Sequence, residues 1–206
     1  MGAENIIGLY ERHAAAFDAQ RDRRLFEAAW LGRFTALIPP GGAVLDLGCG
    51  MAEPIAAHLI GSGFGVTGVD SAPSLIALCR ARFPGQEWLL ADMRCLDLGR
   101  RFDGLLAWDS FFHLDHADQR AIFAVFARHA APGAALMFTS GPSDGVAMGC
   151  FEGEVLYHAS LSPIEYRRLL VRHGFAVVAH RTEDPECGGR TVWLARREGA
   201  QAASAG

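Results

Sequence analysis

Val44-Leu45-Asp46-Leu47-Gly48-Cys49-Gly50-Met51-Ala52 is the stretch of sequence that decides the fold. It joins a short apolar run at 43–47 to a turn with two glycines and then to a helical pattern at 52–61. A glycine has no Cβ, so the backbone of such a turn can approach a ligand closely. A strand, a glycine turn and a helix in this order predict the first unit of an α/β sheet, with a binding site at the turn.

Further strands and helices alternate along the chain after this unit. Strands are predicted at 65–69, 87–91, 103–108 and 134–139, and helices at 72–83 and 116–131, with a turn near 94–99. Because these strands are apolar on both faces and separated by helices, they predict a parallel sheet that is covered on both sides. Its βαβ connections should be right-handed.

The pattern changes at Gly141. Several glycines in 141–160 predict a long loop, and a helix follows over about 163–173. Ser162 precedes that helix and Glu165 comes three residues later, which is the pattern of a capping box.

Both ends of the chain depart from the alternating pattern. Two strands are predicted at 175–181 and 190–196, and their link is too short for a helical crossover, so they should pair antiparallel. At the other end, 3–38 is predicted to be helical and to stop at the Pro-Pro-Gly-Gly segment 39–42.

The composition is that of one globular α/β domain. The 206 residues are half hydrophobic, and 19 Lys and Arg against 23 Asp and Glu give a formal net charge of −4. Because proteins that hold a phosphate backbone are usually basic, we do not expect nucleic acid as a direct substrate. The cysteines are odd in number and form no C-x-x-C pair, which argues against a disulfide framework and a zinc site: Cys49, Cys79, Cys95, Cys150 and Cys187.

Targeting signals are not found in the sequence. The N-terminus lacks the basic and apolar regions of a signal peptide. No apolar stretch approaches the roughly 18 residues of a membrane span. We therefore expect a cytoplasmic protein that does not insert into a membrane.

The residues around the glycine turn narrow the choice of ligand. A dinucleotide fingerprint requires Gly or Ala three residues after Gly50, but Glu53 stands there. No Lys or Arg occurs between Ala43 and Leu59 to indicate a phosphate. Asp46 lies two residues before the first glycine, where a carboxylate suits a ligand with positive charge. S-adenosylmethionine carries a sulfonium and an ammonium and no phosphate, so it fits this turn better than NAD.

Three more acidic residues follow later strands. Asp70 ends the second strand, twenty residues after Gly50, where an acid can accept hydrogen bonds from ribose hydroxyls. Asp92 and Asp109 follow the next two strands. Ligands of open α/β sheets bind at the carboxyl edge of the strands, so these carboxylates should lie along one binding edge.

Taken in order, four segments resemble the class I S-adenosylmethionine-dependent methyltransferases: V-L-D-L-G-C-G (44–50), V-T-G-V-D-S-A-P (66–73), A-D-M (91–93) and F-D-G-L-L-A-W-D-S (102–110). The resemblance implies a Rossmann-like, doubly wound sheet of seven strands in the order 3-2-1-4-5-7-6, with the seventh antiparallel and helices on both faces. It also implies S-adenosylmethionine as the methyl donor and S-adenosylhomocysteine as the product.

The resemblance assigns roles to residues at both ends of the cofactor. Asp46, Gly48 and Gly50 would line its methionine part, and Trp108 and Asp109 would flank the methyl-donor end. Three further residues would hold the adenosine, with Asp70 on the ribose hydroxyls, Asp92 on the adenine amine and Met93 beside the ring. A helical lid would contribute Tyr10, His13 and Phe17.

The acceptor side is less defined by the sequence. His113 follows the fourth strand, where it is either a general base for the acceptor or a histidine that only forms a hydrogen bond at a helix start. Tyr157, His158 and Glu154 lie in the predicted loop and are candidates for acceptor contacts or for packing within that loop. His113 and His116 are three residues apart, but no spacing pattern supports a metal site, and we expect none.

The function expected from the sequence is methyl transfer from S-adenosylmethionine to an O, N or C atom of a small molecule by a monomer or homodimer. An S-adenosylmethionine-binding protein without turnover and a nicotinamide-dependent oxidoreductase remain as alternatives. The expected organisation is a single domain over 1–198 with a disordered tail at 199–206. Within the domain we expect a helical lid at 1–38, a cofactor-binding core at 40–140, and an acceptor-side loop with a closing hairpin at 141–198.

Overall fold

The computed structural model describes residues 2–199. The strands are β1 (Ala43–Leu47), β2 (Gly65–Asp70), β3 (Glu87–Leu90), β4 (Phe102–Ala107), β5 (Ala130–Ser140), β6 (Gly145–Phe151), β7 (Glu154–Ser160), β8 (Phe175–Asp184) and β9 (Arg190–Arg197). The α-helices are α1 (Ile6–Arg12), α2 (Ala14–Gln20), α3 (Ala28–Thr35), α4 (Ile55–Gly61), α5 (Pro73–Arg82), α6 (His116–His129) and α7 (Pro163–Arg172). All but the first residue of the tail predicted at 199–206 lies outside the described residues.

Seven strands form the main sheet, in the order β3-β2-β1-β4-β5-β9-β8. Strands β1 to β5 are parallel, whereas β9 is antiparallel to both β5 and β8. Counted within this sheet the order is 3-2-1-4-5-7-6, so the predicted topology is confirmed. Since β9 runs against β5, its first residues lie at the carboxyl edge of the parallel strands, where Ser140 pairs with Thr191.

The sheet separates two hydrophobic clusters, and alternation along β1 assigns side chains to each. Leu45 and Leu47 belong to the cluster under α6 and α7. Val44 belongs to the cluster under α3 and α4. Successive side chains of a strand point to opposite faces, so Asp46 lies on the Val44 face. The alternation therefore directs the carboxylate of the glycine motif toward the start of α4.

The predicted loop at 141–160 is wrong, because most of it forms an antiparallel hairpin of β6 and β7. Glu152 (φ 50°) and Gly153 (φ 79°) form its two-residue turn, and positive φ at both positions matches the turns preferred in hairpins. Gly145 and Gly149, which suggested a loop, lie within the exposed strand β6. Backbone hydrogen bonds to β7 hold that strand, so it tolerates residues without side chains.

The region predicted to be helical at 3–38 contains α1, α2 and α3, but the prediction fails at 21–27, which is not helical. The Asp22 carboxylate accepts hydrogen bonds from the Arg24 amide at 2.9 Å and from the Arg24 guanidinium. Leu25 adopts a φ of 52°. Such local side-chain hydrogen bonds compete with those of a helix, which explains the break between α2 and α3.

The predicted cap of α7 forms in part. The Ser162 hydroxyl accepts a hydrogen bond from the Glu165 amide at 3.2 Å. The Glu165 carboxylate does not complete the capping box, because it accepts from Arg120 of α6 instead, at 2.6 Å. Within residues 2–199, no helix has the length and apolar character needed to cross a membrane.

One buried amide anchors the hairpin to the main domain. The Gln119 side chain of α6 is fully buried and donates to the carbonyls of Leu114 (2.9 Å) and Ala159 (2.8 Å). Its oxygen accepts from the Tyr166 hydroxyl at 2.6 Å. Gln119 therefore joins α6, β7 and α7 at a single point.

We predict that Gln119→Leu lowers the free energy of unfolding by about 2–4 kcal/mol, because each buried group left without a partner costs about 1–3 kcal/mol. Urea unfolding of the variant and the parent measures the difference. Arg120→Leu is the control, since the exposed ion pair of Arg120 with Glu165 contributes about 0–1 kcal/mol. Equal losses in the two variants would contradict the anchoring role of Gln119.

Candidate active site

The glycine turn after β1 has a backbone that only glycine adopts easily. Gly48 has a φ of 77° and Gly50 a φ of 55°. A Cβ on Gly48 would lie 2.3 Å from Cβ of Ser110, so that position also lacks space for a side chain. The Ser110 hydroxyl donates to the Leu47 carbonyl at 2.7 Å. The turn is thus packed tightly against the segment that follows β4.

Asp70, at the end of β2, orders the same turn. One carboxylate oxygen accepts from the Gly50 amide at 3.0 Å, and the other accepts from the Ala72 amide at 2.9 Å. Burial raises the pKa of Asp70, and these backbone amides act in the opposite direction. Asp70 caps the turn into α5 and still faces a cavity at the sheet edge.

Asp46 is buried without a counter-charge. Burial and then the neighbouring Asp70 carboxylate raise the pKa of Asp46 to about 7. Among residues 2–199 we find no hydrogen-bond donor to its carboxylate. A buried carboxylate with no partner is costly, and a cationic ligand would offset that cost.

Two cavities meet over the glycine turn. The first has a volume of about 100 Å³ and contains Asp70, Asp92 and Met93 in its wall. The second, of about 460 Å³, contains Asp46 and Trp108. Six residues contribute to both walls and so mark the junction: Tyr10, Phe17, Gly48, Gly50, Asp109 and His113.

Asp92 lies in the wall of the first cavity, but its carboxylate is engaged by Arg94. The guanidinium donates to both of its oxygens, at 2.6 and 3.0 Å. The Arg94 side chain holds the pKa of Asp92 below its usual value. Met93 contributes to the same wall and would lie 3.2 Å from a Cβ on Gly48.

Asp109 is held at the junction in a strained conformation. Its φ is 46°, which is uncommon for a residue other than glycine and marks stored strain. Its amide donates to the Thr139 hydroxyl at 2.8 Å. The Arg190 guanidinium donates to its carboxylate at 2.9 and 3.0 Å and also lies 4.4 Å from the ring centre of Phe26.

Sequence reasoning did not identify Arg190, which also lies in the wall of the second cavity. No local motif marks it. The available signal is topological, because an antiparallel seventh strand begins at the carboxyl edge of the sheet and Arg190 is the first residue of that strand.

His113 is buried at the junction and has a defined tautomer. Its Nδ1 lies 2.9 Å from the Tyr157 carbonyl, which only accepts, so Nδ1 carries the proton and donates. Its Nε2 therefore accepts from the Tyr10 hydroxyl at 3.0 Å. Burial lowers the pKa of His113 to about 4, and the imidazole is neutral near pH 7.

Tyr157 and His158 alternate on β7 and are placed differently. The Tyr157 ring packs with Ile6 and Ala159, is not part of the wall of either cavity, and contributes only its carbonyl to the His113 contact. The His158 ring lies 4.8 Å from that of His113 and lines the second cavity. Burial lowers the pKa of His158.

The N-terminal helices contact the hairpin across the junction. Glu154 accepts from Arg12 and lies 2.7 Å from Nε2 of His13. His13, which was predicted to contact the cofactor, is not part of the wall of either cavity. Phe151 packs against the rings of Tyr10 and Phe17. Tyr10 and Phe17 of α1 and α2 thus cover the glycine turn, whereas His13 fastens them to the hairpin.

Trp108 and His116 have distinct positions. Trp108 is buried in the wall of the second cavity, and its Nε1 has no hydrogen-bond partner among residues 2–199. Nε2 of His116 lies 3.2 Å from the Gly145 carbonyl and 3.1 Å from the Ser160 carbonyl, so it binds the hairpin.

The described part of the chain contains no cluster of three or more His, Cys, Asp or Glu placed to bind a metal.

Comparison with known proteins adds to this geometry. Residues 44–133 match the sequence profile of a family described as a methyltransferase domain. A search of curated protein sequences finds no match.

Solved structures with similar folds include three methyltransferases. An amino pentose methyltransferase from Micromonospora echinaspora, bound to S-adenosylmethionine, superposes with a TM-score of 0.70 at 22% identity over 90% of this chain and 96% of that one. The 1,6-didemethyltoxoflavin-N1-methyltransferase of Burkholderia thailandensis gives a TM-score of 0.74 at 20% identity over 95% of this chain and 88% of that one. A glycopeptide N-methyltransferase bound to S-adenosylhomocysteine gives a TM-score of 0.68 at 20% identity over 89% of this chain and 96% of that one.

At these identities the superpositions establish the fold. Residues 44–133 thus match a methyltransferase domain in sequence, and the chain shares the fold of methyltransferases whose structures contain S-adenosylmethionine or S-adenosylhomocysteine.

Proposed function

We propose that the chain binds S-adenosylmethionine across the two cavities and transfers its methyl group to an oxygen, nitrogen or carbon of a small-molecule acceptor. The observation that carries this proposal is the junction at Tyr10, Asp109 and His113, which opens to both cavities. The adenosine end of the cofactor belongs in the first cavity, and the acceptor reaches the junction from the second.

The residues present fit this cofactor. Asp46 supplies a buried, unpaired carboxylate for the ammonium of the methionine part. Gly48 leaves the floor of the junction free of a side chain. Asp70 retains lone pairs for the ribose hydroxyls beside the amides that it already binds. For Asp92, contact with the adenine amine requires that its carboxylate be shared with Arg94.

The bound cofactor supplies an activated methyl group, and the chain supplies position and exclusion of water. Tyr10 and Phe17 cover the junction, and their contacts with Phe151 close it on the hairpin side. Asp109, fixed by Arg190 and Thr139, presents a carboxylate where donor and acceptor meet. Holding the acceptor in line with the methyl accounts for much of the rate in such a reaction.

His113 is placed to receive a proton from the acceptor. Its Nε2 lone pair is occupied by the Tyr10 hydroxyl, and an acceptor hydroxyl or amine that displaces this hydroxyl would meet the same lone pair. With a pKa of about 4, neutral His113 orients the acceptor through a hydrogen bond and is a weak base. His158 adds a second neutral imidazole on the acceptor side.

A small acceptor fits the second cavity, of about 460 Å³, and the net charge of −4. The similar proteins named above act, by their names, on an amino pentose, on 1,6-didemethyltoxoflavin and on a glycopeptide. Each of these acceptors is a small or moderately sized molecule. The same class of acceptor is proposed for this chain.

We predict that incubation with S-adenosylmethionine labelled at the methyl group transfers label to the small-molecule fraction of a cell extract. The Asp70→Ala variant should transfer much less label under the same conditions. Scintillation counting and mass spectrometry identify the labelled compound. Transfer only to added protein or nucleic acid, or no transfer at all, would contradict the proposed function.

We predict that Asp70→Ala raises the Kd for S-adenosylhomocysteine at least tenfold, about 1.4 kcal/mol, because it removes the ribose contact and the hydrogen bond that orders Gly50. Titration calorimetry measures the Kd. The control is Asp97→Ala, which removes an exposed carboxylate that contacts Arg128 and the Gly99 amide, outside both cavity walls. An unchanged Kd in Asp70→Ala would refute the assignment.

We predict that S-adenosylhomocysteine binds about tenfold more weakly at pH 6 than at pH 8, because Asp46, with a pKa of about 7, is protonated at the lower pH and no longer attracts the ammonium. Calorimetry across this range gives the profile. Asp46→Asn should bind weakly and without this dependence. A pH dependence that persists in Asp46→Asn would assign the titration to Asp70, whose pKa is also raised.

A further inference from the structure

A third cavity lies beside the second one, between the end of β5 and the hairpin. Its volume is about 430 Å³, within the roughly 300–1,000 Å³ typical of small-molecule sites. The segment 141–147 forms one side, and Ala159 and Ser160 of β7 form the other. None of the roles proposed above for cofactor or acceptor uses this space.

The third cavity connects with the second through three residues that line both: Phe112, Ser140 and His158. The rings of Phe112 and His158 are 5.1 Å apart, and His158 also lies 4.8 Å from His113. These three residues therefore form a neck between the junction, where the methyl group is transferred, and the outer space.

The wall of the third cavity is small and largely uncharged. Its polar side chains at Ser140 and Ser160 already bind the Gly141 carbonyl, at 2.8 and 3.2 Å. Asp144 is the only Asp, Glu, Lys or Arg side chain in the wall, and it is 65% exposed. The lowered pKa of His158 leaves that ring neutral near pH 7. No group in the wall carries a positive charge that would balance an anion. An uncharged ring or chain loses little hydration free energy when it enters such a cavity.

We propose that the third cavity is an outer acceptor subsite, which takes an uncharged ring or chain of an elongated acceptor while the methylated atom lies at the junction. This inference rests on the proposed function, and it narrows the acceptor to molecules that extend through the neck past His158. The end beyond the neck carries no negative charge.

Ala147 offers a way to fill the subsite without touching the cofactor cavities. It pairs directly with His158 across the hairpin, and both residues line the third cavity. Met148, the next residue of β6, is 57% exposed and is not part of that wall. Ala147→Leu and Met148→Leu therefore form a matched pair on one strand.

The test uses benzyl alcohol and benzoate as probes, which share a ring and differ in charge. Each is titrated into the ¹⁵N-labelled protein saturated with S-adenosylhomocysteine, and the amide signals of Gly141 and Gly145 are followed. Benzyl alcohol should shift both signals, with at least a fivefold weaker Kd in Ala147→Leu and an unchanged Kd in Met148→Leu. Benzoate should not shift them at the same concentrations.

The inference is overturned if benzyl alcohol leaves these signals unchanged, if benzoate binds as well, or if the two variants respond alike. Calorimetric titration of the same samples with S-adenosylhomocysteine separates this result from the proposed function. Failure to bind S-adenosylhomocysteine contradicts the proposed function itself. Normal binding of S-adenosylhomocysteine without a response to benzyl alcohol contradicts only the outer subsite.

Discussion

The hydrogen bond from the Gly50 amide to the Asp70 carboxylate joins the turn after β1 to the end of β2, and the rest of the site is arranged around it. It fixes the direction of Asp70 and the left-handed conformation of Gly50 together. A Cβ on Gly50 would lie 3.2 Å from the Phe17 ring, so the same turn also sets how closely the N-terminal helices can approach. A change in this one contact would alter the floor of the junction, its ribose-side acid and its cover.

Charge is distributed so that the cations near the junction are already paired. Arg190 binds Asp109, Arg94 binds Asp92, and Arg21 binds the fully buried Glu27 at 2.6 Å. The Asp46 carboxylate has no hydrogen-bond donor among residues 2–199, and burial and then the Asp70 carboxylate raise its pKa, which reflects the free-energy cost of an isolated charge there. Because a ligand that brings a cation removes that cost, the same burial that destabilises the free carboxylate favours binding of an ammonium group.

The sequence predicted the site best where a backbone conformation or a position at a strand end requires one type of residue. Gly48 and Gly50 adopt positive φ, and Asp46 and Asp70 lie near strand ends, so the binding edge of the sheet could be predicted from these residues. The order of the strands followed instead from the resemblance of four motifs to a known family. Arg190 and the partners of Glu154 could not, because their contacts join segments 81 and more than 140 residues apart. The hairpin was missed for a local reason, since the glycines of β6 are typical of loops and only the Glu152-Gly153 turn indicates two paired strands.

The hairpin of β6 and β7 contacts three parts of the site that lie far apart in the sequence. Through the Tyr157 carbonyl it fixes the tautomer of His113, and through Glu154 it holds Arg12 and His13 of the N-terminal segment. Through His158 it lines the way into the outer cavity. The contacts of Tyr157 and His158 do not involve the glycine turn or Asp70, whereas Phe151 and Glu154 hold the N-terminal segment that covers this turn. Under the proposed function, substitutions beside His158 can therefore change the acceptor without changing the methyl donor.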